Sequence, residues 1–152
     1  MFEGQCECGK AQWTVSGPPL LRALCHCTIC QEFNQAPFAD VTAFRLRDLE
    51  LAEPGAHEFN RLRPPPSVQR GRCASCGQAT VEIFRQPLMP RLAIIPSARL
   101  EPLAELPQPR FHMFYNRRRS DVTDTLPHYS GYLSSQWAFA RRLIPALLRT
   151  AD

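Results

Sequence analysis

Lysine is almost missing from this chain: Lys10 is the only one, and every other basic side chain is arginine. With a formal net charge of +4, that bias reads as codon usage in a GC-rich genome, not as a device for binding polyanions. A nucleic-acid surface needs a wide basic stripe with interleaved aromatics, and none is visible, so no nucleic-acid partner is expected. No run approaches the ~20 apolar residues that span a bilayer, so no membrane partner is expected either. There is no internal repeat. Met1 to Cys6 has no basic n-region, no apolar h-region and no cleavage site, so no secretory leader is expected. The cytoplasm is the expected compartment. Long helices are disfavoured over most of the chain by fifteen scattered prolines. The length suits one domain spanning residues 1–152.

What the chain does have is seven cysteines in three clusters: Cys6 and Cys8; Cys25, Cys27 and Cys30; Cys73 and Cys76. An odd count leaves one thiol over in any disulfide scheme. A bridge within Cys6/Cys8 or Cys25/Cys27 would close a strained ring. The short spacings are those of thiolates converging on a metal. A closed structural zinc takes four protein ligands, whereas a catalytic zinc takes three and keeps one position open. Four plus three therefore points to one structural and one catalytic Zn2+.

Glycines suggest the grouping. Cys8 precedes Gly9 and Cys76 precedes Gly77, and glycine adopts the positive φ that turns backbone N–H groups toward the sulfurs. Such hydrogen bonds temper the charge of a four-thiolate site. Cys6, Cys8, Cys73 and Cys76 are thus expected to share the closed site, leaving Cys25, Cys27 and Cys30 for the open one. A rival joins Cys27/Cys30 to Cys73/Cys76 as a zinc ribbon, although the intervening residues 31–72 exceed the usual ribbon gap.

The expected layout is mainly β, with short strands and one helix at the C-terminal end. Strand formers mark Gln12 to Val15, Leu20 to Leu24, Phe38 to Phe44, Glu58 to Leu62, Thr80 to Phe84, Leu92 to Ile95 and Phe111 to Tyr115. Arg63 to Ser67, with three consecutive prolines, reads as a stiff extended loop. Trp137 to Leu148 carries an apolar stripe, with Ser134 or Ser135 as candidate N-cap and Pro145 expected to kink or split the helix. Its apolar residues are expected to be core.

The three cysteine motifs, Cys6-x-Cys8-Gly9, Cys25-His26-Cys27-x-x-Cys30 and Cys73-x-x-Cys76-Gly77, resemble those of the glutathione-dependent formaldehyde-activating enzyme family. Phe111-His112-Met113 and Asp121-Val122-Thr123-Asp124-x-Leu126-Pro127 resemble its C-terminal signature. The resemblance implies an Mss4-like fold of several coiled antiparallel β-sheets. It also implies a structural zinc at Cys6, Cys8, Cys73 and Cys76 and a catalytic zinc at Cys25, Cys27 and Cys30. The reaction implied is that of a carbon–sulfur lyase, joining glutathione and formaldehyde into S-hydroxymethylglutathione or cleaving it. Gln31 stands where the family commonly has a basic residue, Gln35 where it has glycine, Arg72 where an aromatic is usual, and Ser120 in a place often held by tryptophan.

From the chemistry alone, three thiolates donate heavily to a metal, so a soft thiol is a better fourth partner than water. His26, between two candidate ligands, is expected to point away from the metal and act through a hydrogen bond. His112 is either a pocket residue or a satisfied core histidine, and His128 is a weaker pocket candidate. His57, after a Pro-Gly turn, is expected to be solvated. Arg117 to Arg119 is either a solvated loop or a carboxylate-binding fork. Two further readings remain open: a zinc-stabilised protein-binding module, and a nucleic-acid-binding ribbon.

Overall fold

The computed structural model describes residues 1–63 and 68–150. The expected stiff loop falls largely on 64–67, outside the described residues. In chain order come β1 (Phe2–Gln5), β2 (Gln12–Val15), β3 (Leu21–Cys25) and a short helix α1 (Thr28–Asn34). Then follow β4 (Ala39–Arg45), β5 (Leu49–Leu51), β6 (His57–Arg61), β7 (Gln69–Cys73), β8 (Ala79–Phe84) and β9 (Leu92–Pro96). The chain ends with β10 (Leu100–Glu101), β11 (His112–Met113), β12 (His128–Tyr129) and helix α2 (Tyr132–Arg149).

Two sheets result: four strands in the order β10-β1-β2-β5, and eight in the order β12-β11-β3-β4-β9-β8-β7-β6. The expectation of a mainly β, Mss4-like chain with a C-terminal helix holds. Pairing is antiparallel except at β11, which runs parallel to both β3 and β12. Alternation in β2 sends Trp13 and Val15 inward and leaves Gln12 and Thr14 less buried. Those two side chains meet Phe2, Phe44, Val81, Ile95 and Leu100 in one core. A second core, around Leu21, Ala23, Val41, Phe111 and Met113, lies under α2 through Ala138, Leu143 and Ala146. No helix among the described residues is long and apolar enough to cross a membrane.

Several expectations need correction. Strand Phe111 to Tyr115 shrinks to His112–Met113, because Phe114 takes a left-handed φ of 55° and Tyr115–Arg117 turns into a 3-10 helix. Helix α2 begins earlier, behind Gly131, and runs through Pro145 without splitting. Leu143 and Ala146, buried on either side of the proline, hold both turns on the core. Ser134 and Ser135 lie inside this helix, and Ser135 Oγ instead accepts the Phe114 N–H at 2.8 Å. The apolar residues of α2 are not all core: Leu133, Trp137, Ile144 and Leu148 are exposed on the side away from it. Finally, His57 is buried, its ring beside Trp13 and Phe59 and its Nδ1 3.1 Å from Thr80 Oγ1. The Pro-Gly turn precedes it, but its pairing with Cys73 directs its side chain inward.

Two cysteine clusters as candidate metal centres

The sulfurs of Cys6, Cys8, Cys73 and Cys76 lie within 4.8 Å of one another, brought together from the ends of β1 and β7 and their following turns. Each turn has the same device. Gly9, at φ 74°, donates its N–H to Cys6 O, and Gly77, at φ 70°, donates to Cys73 O. An L side chain is strained at such φ, which explains the glycines. The Ala11 N–H points at Cys6 Sγ, 3.3 Å away. Cys73 is held down to about 6 by the backbone N–H of Cys76, with Ser75 and the neighbouring thiols adding to the effect. Cys6 and Cys73 are buried while Cys8 and Cys76 face solvent.

Cys25, Cys27 and Cys30 form a second cluster, also with sulfurs within 4.8 Å. Cys25 ends β3, Cys27 caps α1, and Cys30 lies in its first turn. Cys25 and Cys30 are buried, and Cys27 is the partly open member. The Cys27 sulfur accepts the Cys30 N–H at 3.3 Å. Hydrogen bonds from the Cys25 and Cys30 thiols hold Cys27 down to about 3, the contact with Cys27 pushes Cys25 up, and the contacts with Cys25 and then Cys27 push Cys30 up. The geometry does not bring Cys27 and Cys30 together with Cys73 and Cys76 in one cluster, so the ribbon grouping is absent among the described residues. Both clusters are sets of soft sulfur donors that suit zinc.

The α1 helix was not legible from periodicity, being only seven residues long. Its last residue is followed by Gln35 at φ 50°, a left-handed C-cap whose N–H bonds Gln31 O and Glu32 O. Glycine takes that conformation freely, whereas a glutamine is strained in it.

Around the three-cysteine cluster stand groups whose contacts the sequence did not reveal. Gln31 is buried, and its Nε2 donates to His26 O and, at 2.8 Å, to Arg117 O. It thereby ties the Cys25-His26-Cys27 turn to the Tyr115–Arg117 3-10 helix. Arg70 on β7 pairs with the fully buried Glu82 on β8 and directs Nη2 at Cys30 Sγ, 3.9 Å away. Burial pushes Glu82 up to about 7, against the pull of Arg70. A charged residue inside the apolar run Thr80 to Phe84 was the available signal.

The histidines separate by role. His26 points away from the sulfurs, with Nε2 2.8 Å from His112 Nδ1. Burial pushes it down to about 4, with His112 adding to the effect. His112 is completely buried and reaches Asp124 Oδ2 at 2.9 Å through Nε2. His128 stacks on Tyr115 with ring centroids 3.9 Å apart. Arg118 lies over the Tyr115 ring and pairs with Asp121, whereas Arg117 and Arg119 are exposed.

Comparison with known proteins adds two findings. A family profile described as "Glutathione-dependent formaldehyde-activating enzyme" matches residues 1–117. A crystal structure of a Rhodobacter sphaeroides protein matches with a TM-score of 0.52 and 19% identity, covering 66% of this chain and 88% of that one; at this identity the likeness speaks for the fold alone. No curated protein matches.

Proposed function

This chain belongs to the glutathione-dependent formaldehyde-activating enzyme family, and from that premise we propose that it forms or cleaves a thiol–aldehyde adduct such as S-hydroxymethylglutathione. The single observation that carries the reading is the three-sulfur cluster, two members buried and Cys27 partly open. In this proposal Cys25, Cys27 and Cys30 hold a catalytic zinc, and Cys6, Cys8, Cys73 and Cys76 hold a structural one. The donor sets fit: three and four thiols at contact spacing, without competing hard ligands among them. A zinc held by these three sulfurs would supply a Lewis-acidic centre that favours ionisation of an incoming thiol.

The chain's own residues set the conditions for that chemistry. Arg70 places a positive charge beside Cys30 and offsets part of the negative charge of the sulfurs. Gln31 fixes the backbone that carries Cys25 and Cys27. Partly buried Phe84, Phe114, Tyr129 and Phe139 pack on the core that includes Cys25 and Cys30 and limit water there. In this proposal the exposed Arg117 and Arg119 supply guanidinium forks for the carboxylates of glutathione. Bond making is simple: the thiol sulfur joins the aldehyde carbon, the C=O π bond opens, and the thiol proton ends on the former carbonyl oxygen. Holding the two reactants together is the main catalytic contribution. The proposal places this activity in the cytoplasm, where thiols stay reduced, with residues 1–152 acting as one domain.

The test is exchange between glutathione and 13C-formaldehyde, followed by NMR on zinc-replete protein. Wild type should accelerate adduct exchange, and Cys27→Ser should return it to the uncatalysed rate with unchanged circular dichroism. Unchanged exchange in Cys27→Ser would remove the cluster from the mechanism. A second reading, a protein-binding module, is favoured by the exposed ridge Leu133, Trp137, Ile144 and Leu148. It predicts one zinc per chain and no acceleration.

A further inference from the structure

We propose that His112, Asp124 and His128 form a third cation site, built from nitrogen and oxygen donors and selective for a divalent transition-metal ion. Their ligand atoms lie within 4.8 Å of one another. The parallel pairing of β11 with β12 sets His112 directly opposite His128, and the two rings stand edge to face at 4.9 Å. Asp124 closes the third side, its Oδ2 2.9 Å from His112 Nε2.

Each donor is held in place before any ion arrives. The His128 ring lies flat on Tyr115, at 3.9 Å and 17°. Neither of its nitrogens makes a hydrogen bond among the described residues, so a lone pair is available. Asp124 Oδ1 accepts the Leu126 N–H at 2.9 Å, which fixes the carboxylate plane. Behind His112 stands His26, its Nε2 2.8 Å from His112 Nδ1. An imidazole that gives one nitrogen to a metal commonly donates its other N–H to a fixed acceptor, which sets tautomer and orientation. An ion would replace the proton that His112 Nε2 gives to Asp124, the N–H would then be on Nδ1, and His26 Nε2 would become its acceptor. His112 itself is buried while Asp124 and His128 are exposed, so the ion enters from solvent and open coordination positions face outward.

Two imidazoles and one carboxylate suit cobalt, iron, nickel or zinc, and differ in kind from the thiolate clusters. Arg118 is taken up by Asp121 and the Tyr115 ring. Because His112 also orients His26, which lies between Cys25 and Cys27, an ion here would stiffen the turn carrying those cysteines.

The probe is Co2+ added to protein whose thiolate clusters are already loaded with zinc, read by native mass spectrometry and visible absorption. One additional ion per chain is expected, with weak d–d bands and no sulfur-to-cobalt charge-transfer band. His128→Gln and Asp124→Asn, both at exposed positions, should each weaken that binding by about tenfold or more. No additional ion, or equal affinity in both variants, overturns the site. Cys27→Ser should retain it, so failure of the third site and failure of the thiol–aldehyde reading are separable.

Discussion

Arg70 joins a buried carboxylate to a cysteine: one guanidinium nitrogen pairs with Glu82 and the other faces Cys30 Sγ at 3.9 Å. The two residues sit opposite each other on β7 and β8, so the pair is built by strand register. A buried ion pair adds little net stability, but removing one partner strands a charge. Arg70→Met should therefore lower stability chiefly above about pH 7, where Glu82 is ionised, by up to about 3–5 kcal/mol, measured by urea unfolding. An unchanged midpoint would mean that Glu82 is not held as structured here.

The same carboxylate sets a pH dependence. Burial raises Glu82 from an ordinary 4.5 to about 7, so the folded state holds a proton the unfolded chain has lost. Its contribution to stability is full below pH 4.5 and is lost as pH rises through about 7. Glu82→Gln should flatten the decline between those values in a pH series of thermal melts. A decline of the same size in the variant would assign it to other groups.

Gln35 holds the left-handed C-cap of α1 at φ 50°, a conformation that costs a non-glycine residue about 1–2 kcal/mol. Gln35→Gly loses part of that gain to unfolded-chain entropy. A net stabilisation of about 0.5–1 kcal/mol is expected, visible as a higher melting temperature. A lower one would show that the Gln35 side chain contributes more than its backbone costs.

Gln31 donates to two carbonyls, the buried one of His26 and the part-buried one of Arg117. Gln31→Leu keeps the volume but leaves the buried His26 acceptor unpaired, at about 1–3 kcal/mol. We expect a measurable loss of stability and a larger loss of adduct exchange, because the turn carrying Cys25 and Cys27 is released. Stability lost with exchange unaffected would limit Gln31 to a structural role.

Cys76→Ala removes one sulfur from the four-cysteine cluster, which links β1 to β7 across the two sheets. Structural zinc is worth about 10–16 kcal/mol in small peptides, so this variant should lose zinc and its cooperative thermal transition. A soluble variant melting like wild type would refute the structural role.

Much of this was legible in one dimension. The cysteine spacing and the two glycines depend on chain-local rules: a short loop between thiols, and a positive φ that only glycine takes freely. Strand cores such as Gln12 to Val15 and Leu92 to Ile95 show themselves through side-chain type and period, which are also local. The seven residues of α1 are too few for helical periodicity to register, and the true start of α2 rests on Gly131 and on contacts to Phe114. His57 looked solvated beside its turn because nothing in the sequence reveals that β6 pairs with β7 and faces Trp13. Arg70 with Glu82, His26 with His112, and His112 with Asp124 and His128 are set by strand order and register. Such pairings join residues distant in the chain, and their distances come into being only when the sheets close.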